Sequence, residues 1–91
     1  MYTLHFSKKF KKDYKKIKRS SNFKKEELVI IFNILKKGET LDIKHQNHKL
    51  SGDFLDCYEC HVQPNVLLIY KIYKKELKIE LIRLGSHAEL F

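Results

Sequence analysis

The chain has 91 residues and a formal charge of +8, with 43% hydrophobic and 33% charged residues. That balance fits one small globular domain over residues 1–91 with a modest core, and it excludes a disordered chain. No apolar run approaches the roughly 20 residues needed to cross a bilayer. Met1 to Ser20 is lysine-rich without the apolar centre of a signal peptide, so a cytoplasmic protein with no membrane partner is expected.

In chain order, Tyr2 to Phe6 alternates and predicts a short strand. Ser7 then suits a helix N-cap. Phe10, Tyr14 and Ile17 recur at helical spacing among lysines, predicting an amphipathic helix over residues 8–19. Ser20-Ser21-Asn22 breaks it. A second helix follows, with Glu26 and Glu27 at its start, Lys36 and Lys37 at its end, and Gly38 past its end as the C-terminal stop. The two helices form a hairpin that can cover one face of a sheet. Residues 38–53 show little periodicity and read as a long connection. Three strand-like runs complete the chain, at 54–62, 66–73 and 77–84, joined by short links that imply an antiparallel meander. The expected fold is α+β, in the order β-α-α-β-β-β, with Val66 to Tyr70 in a central strand because it is apolar on both faces.

Charge is unevenly spread. Ten of the 19 lysines and arginines lie in residues 1–25, beside a single acid, Asp13. The first helix is therefore a cationic surface suited to a polyanion or an acidic protein. Lys8, Lys9, Lys11, Lys12, Lys15, Lys16 and Lys18 are expected to supply RNA affinity without sequence information.

Side-chain parity separates the faces of the 54–62 strand. Phe54, Tyr58, Cys60 and Val62 fall on the face suited to the helices, while Leu55, Cys57, Glu59 and His61 fall on the open one. Cys57-Tyr58-Glu59-Cys60-His61 has the spacing of a c-type haem attachment site, but cysteines facing opposite ways cannot share one group. The same geometry argues against a redox pair and against a zinc site from His48, Cys57, Cys60 and His61. Two reduced, small apolar side chains are expected, and no metal or cofactor. His5 and His45 have no evident partner and read as surface residues.

His48, His61 and His87 remain, each beside or within a strand-like run, together with Arg83. An imidazole both takes and gives protons near neutrality. Two of them flanking a phosphodiester can deprotonate an RNA 2′-hydroxyl and protonate the leaving 5′-oxygen. A guanidinium can hold the phosphate. The final residues, down to Phe91, are expected to contribute to the same site.

The segments His48-Lys49-Leu50-Ser51-Gly52, Glu59-Cys60-His61-Val62, Pro64, Leu67-Leu68-Ile69-Tyr70-Lys71 and Arg83-Leu84-Gly85-Ser86-His87-Ala88-Glu89-Leu90-Phe91 closely resemble the YafQ branch of the RelE-like bacterial toxins. The resemblance implies the α+β fold just read, and an mRNA endoribonuclease of a type II toxin–antitoxin pair. Such toxins cut mRNA on the ribosome and are neutralised by a cognate antitoxin. The pair reaches operator DNA through the toxin–antitoxin complex. Functional positions fall on His48, His61, His87 and Phe91, with Arg83 at a phosphate-contacting position and Lys49 and Asn65 beside the RNA. His48 is expected as general base and His87 as general acid, or the reverse. Phe91 either stacks on a base or plugs the sheet. Two positions depart from the family pattern: Tyr58 stands where Arg is usual, and Asn65 where a catalytic Asp is usual. Asn keeps the hydrogen-bonding shape but cannot take a proton. A non-catalytic basic RNA- or DNA-binding module is therefore the alternative expectation.

Overall fold

Strand β1 (Thr3–Phe6) runs into Ser7, whose hydroxyl accepts the Phe10 amide at 3.0 Å and starts helix α1 (Lys8–Ile17). This is the cap the sequence predicts, in a computed structural model that describes residues 1–91. Helix α2 (Lys25–Lys36) stops at Gly38, which takes the left-handed conformation at φ +69° that a side chain would strain. After two single-turn segments around a two-residue strand β2 (His48–Lys49) come β3 (Tyr58–Gln63), β4 (Val66–Tyr73) and β5 (Lys78–Gly85). A short helix α3 (His87–Leu90) ends the chain.

The sheet order is β1-β5-β4-β3-β2. The 58–85 meander is antiparallel as expected and β4 is central, but β1 joins the far edge of β5 in parallel. This makes the sheet mixed. The 54–62 run begins as a strand only at Tyr58: residues 52–54 form a helical turn, so strand parity does not reach Phe54, which packs on the face away from the helices, and Leu55 is exposed.

Parity predicts the two faces of β3. Cys60 and Val62 join Phe10, Leu28, Ile31 and Leu35 in the core beneath the helices, with Tyr58 packed at its margin. The opposite face is not bare. Cys57, Leu67, Ile69 and Leu90 form a second small core, flanked by Leu50, Phe54 and Ile82. Leu90 closes it, while Phe91 stays half exposed on the surface.

Beyond Leu81, β5 has no strand on its outer edge. Helix α1 takes that place. The Ser7 hydroxyl donates to the Ile82 carbonyl at 2.8 Å, and Asp13 accepts the Leu84 amide at 3.0 Å. A register shift opposite Ile69 and Tyr70 inserts one extra residue here, a bulge at the end of the sheet that carries the histidines.

Candidate active site

His48 sits on β2 directly across from Glu59 of β3. Its Nδ1 lies 2.8 Å from the Gln46 carbonyl oxygen. A carbonyl only accepts, so Nδ1 carries the hydrogen and Nε2 is the nitrogen left for chemistry. Nε2 faces Glu59 Oε1 at 3.4 Å, and Glu59 is buried. The connection leading to His48 is pinned by the Tyr70 hydroxyl, which donates to Asn47 Oδ1 at 2.6 Å. Burial raises the pKa of that hydroxyl, so it stays protonated as a donor.

Two residues along β3, on the same face as Glu59, His61 opens onto a cavity of about 320 Å³ lined by Glu59, His61, Asn65, Leu67, Ser86 and His87, among others. The Pro64–Asn65 turn forms one wall, and the start of α3 forms the facing one. The loop is short because Gln63 pairs with Val66. Gln63 also ties this turn to the helical hairpin: its Nε2 donates to the Asn22 carbonyl at 2.9 Å, and its Oε1 accepts the Lys24 amide at 2.7 Å.

His87 opens α3 within a reciprocal cap. Ser86 Oγ accepts the Glu89 amide and Glu89 Oε1 accepts the Ser86 amide. Lys16 of α1 reaches the other Glu89 oxygen at 2.8 Å. Lys16 and then the Ser86 contacts hold the Glu89 carboxyl down at about 2. The Phe91 ring lies 4.9 Å from the His87 ring, with Phe54 edge-on behind it at 5.6 Å. Phe91 is thus a rim residue against His87, and the plug of the sheet is Leu90.

The structure therefore gathers His61, His87 and Asn65 around one cavity, with His48 joined to its Glu59 wall and Phe91 at its rim. Two expected RNA contacts are placed elsewhere. Arg83 makes a two-pronged contact with Asp13, Nε at 2.8 Å and Nη2 at 3.2 Å, and does not line the cavity. This contact with Asp13 raises the guanidinium pKa further. Lys49 follows His48 on a strand, so it points the other way, 5.8 Å from the Tyr58 ring centre. Of the α1 lysines, Lys16 is engaged with Glu89, while Lys8, Lys9, Lys11, Lys12, Lys15 and Lys18 remain on the surface without a carboxylate partner.

His45 corrects the surface reading. It is buried, and its Nδ1 donates to the His61 carbonyl at 2.9 Å, bracing the backbone behind the cavity. Nothing in its local sequence marks this long-range contact. Ser86-x-x-Glu89, in contrast, has the spacing of a capping box and is visible in the sequence.

Cys57 and Cys60 are reduced, buried and divided between the two cores. No three His, Cys, Asp or Glu side chains converge as metal ligands. No helix is long and apolar enough to cross a membrane.

Residues 2–91 match the family described as the bacterial toxin of type II toxin–antitoxin system, YafQ. The mRNA interferase toxin YafQ of Escherichia coli strain K12 is 33% identical over 90 residues, covering 99% of this chain and 91% of that protein. A metal-bound toxin from Helicobacter pylori has the same fold at a TM-score of 0.91 and 41% identity, with 100% of both chains covered. YafQ in the E. coli DinJ–YafQ complex matches at a TM-score of 0.87 and 26% identity, covering 100% of this chain and 99% of that one. From the ordered histidine segments to the fold that brings them together, this chain belongs to the YafQ family of bacterial type II toxins.

Proposed function

We propose that this toxin is an mRNA interferase, an endoribonuclease that cuts mRNA on the ribosome by histidine acid–base catalysis. The observation that carries the reading is the convergence of His61, His87 and Asn65 on one cavity whose Glu59 wall holds His48.

In this reading His48 is the general base. Its hydrogen is fixed on Nδ1 by Gln46, so Nε2 takes the proton of the 2′-hydroxyl. The resulting imidazolium is stabilised by the Glu59 carboxylate. The 2′-oxygen bonds to phosphorus and the bond to the 5′-oxygen breaks. His87 protonates that leaving oxygen. The products are a 2′,3′-cyclic phosphate and a 5′-hydroxyl. His61 and Asn65 face the phosphate as hydrogen-bond donors, the first through an imidazole N–H and the second through its side-chain amide. Asn65 cannot move a proton, so both transfers fall to the histidines. Phe91, half exposed beside His87, is placed to stack on a neighbouring base.

The chemistry requires no metal, because imidazoles supply both proton transfers. The cognate antitoxin is the protein partner, and operator DNA is reached through the toxin–antitoxin complex. The free α1 lysines supply ribosomal RNA affinity. The test is the chemistry of the cut ends. Cyclic phosphate and 5′-hydroxyl termini are expected; 5′-phosphate termini would reject the mechanism.

A further inference from the structure

A cavity of about 420 Å³ opens beside the histidine cavity, and Pro64, Asn65 and Ser86 line both. It lies between the end of α1, the turn that leads to α2 and the start of α3. Ile17, Phe23, Val66 and Leu84 give it an apolar floor, with the Phe23 ring held edge-on by Tyr14 at 6.1 Å. Its charged residues are Asp13, Lys16 and Glu89, and each is already paired: Lys16 with Glu89 at 2.8 Å, and Asp13 with Arg83 at 2.8 Å. Gln63 spends both ends of its carboxamide on the Asn22 carbonyl and the Lys24 amide. The Asn22 carboxamide, on the exposed turn between the helices, offers the cavity a donor and an acceptor.

We propose that this cavity seats a base of the mRNA on the 3′ side of the cut, with its edge read by Asn22. The assignment rests on the nuclease reading and deepens it by naming a subsite that selects sequence. A phosphate would find no free cation here and would lie on an apolar floor. A base fits both features: its flat face covers the floor beside Phe23, and its polar edge meets the Asn22 carboxamide. The volume lies within the usual range of small-molecule pockets. Direction follows from the order of the histidines. His48 and Glu59 stand at one end of the site, His61 comes two residues further along β3, and Asn65 and His87 stand at the other end. A strand that presents its 2′-hydroxyl to His48 and its leaving 5′-oxygen to His87 therefore runs on towards the ridge of Asn65 and Ser86, with this cavity beyond it. Phe91 lines neither cavity, so the base that it stacks on is a different one.

The test pairs binding with cleavage. The binding probe is a trinucleotide with a 2′-deoxyribose at the cut nucleotide, which has no attacking hydroxyl, beside the same molecule lacking its two 3′ bases. The base-bearing trinucleotide should shift the side-chain NMR signals of Asn22 and Phe23 in the full-length toxin, and the abasic one should leave them in place. For cleavage, ribosome-bound mRNAs carry each of the four bases at the two positions 3′ of the cut. Single-turnover rates should differ by about tenfold or more between the best and the worst base at one of these positions. Asn22→Leu keeps the volume and removes the polar edge. It should bring that ratio close to one, while preferences 5′ of the cut stay as in the wild type. A wild-type ratio in Asn22→Leu, or no preference at either 3′ position in the wild type, overturns the proposal. So do equal shifts from both trinucleotides, no shift from either, or a change in preference confined to the 5′ side. Absence of mRNA cleavage by the wild type, with the shifts intact, would reject the nuclease and leave the base pocket standing.

Discussion

His48 Nε2 and Glu59 Oε1 face each other at 3.4 Å across the β2–β3 pair, and the carboxylate is almost fully enclosed. A buried carboxylate that faces the candidate base His48 stabilises the charge which that base acquires on taking a proton. Glu59→Gln preserves the shape and removes the charge. Cleavage should slow by roughly 10-fold or more, as expected when a proton-transfer group loses its support. Folding should be retained. An unchanged single-turnover rate would reduce Glu59 to a space-filling residue.

Arg83 distinguishes a structural cation from a phosphate ligand. Its two-pronged contact with Asp13, which also caps the Leu84 amide, secures the end of β5 to α1. Arg83→Ala should cost about 1.5–3 kcal/mol of folding stability, the usual worth of hydrogen bonds to charged groups. The salt dependence of RNA binding should not change. A salt slope reduced by about 1 with stability intact would instead make Arg83 a phosphate ligand.

The cap around His87 is sensitive to acid. Lys16 and Ser86 hold Glu89 at about 2, against an ordinary 4.5. A carboxyl with a lowered pKa stabilises the fold above its ordinary value, and that contribution fades as pH falls from about 4.5 towards about 2. Hydrogen exchange of the Ser86 and Glu89 amides should accelerate through this window, relative to amides of β4. In Glu89→Gln the window should vanish. Identical pH behaviour of the two proteins would contradict this.

The thiols should be inert. Burial pushes Cys60 up to about 12 and raises Cys57 as well. Both side chains are enclosed. A thiol reagent should label neither cysteine at neutral pH until denaturant is added, and then label both. Rapid labelling of the folded protein would show that one of the two cores opens.

Local periodicity reveals much of this molecule. Phe10, Tyr14 and Ile17 mark α1, and Gly38 marks the end of α2. The alternation of Tyr58, Glu59, Cys60 and His61 correctly separates the core from the site and sends the two cysteines apart. Contacts between distant segments are not written in any local pattern. The parallel pairing of β1 with β5, the Arg83–Asp13 contact across 70 residues and the bracing of His61 by His45 depend on how elements meet in space. Lys49 was decidable in principle: as the neighbour of His48 on a strand it had to face away. Only the brevity of β2, two residues within a long connection, concealed the strand.

The central claim is that His87 gives the proton that releases the 5′-oxygen. Single-turnover cleavage of ribosome-bound mRNA measures it directly on the wild type and on His87→Ala. His87→Ala should be slower by roughly 10²- to 10⁴-fold. Cleavage by His87→Ala at the wild-type rate would contradict acid–base catalysis by these histidines.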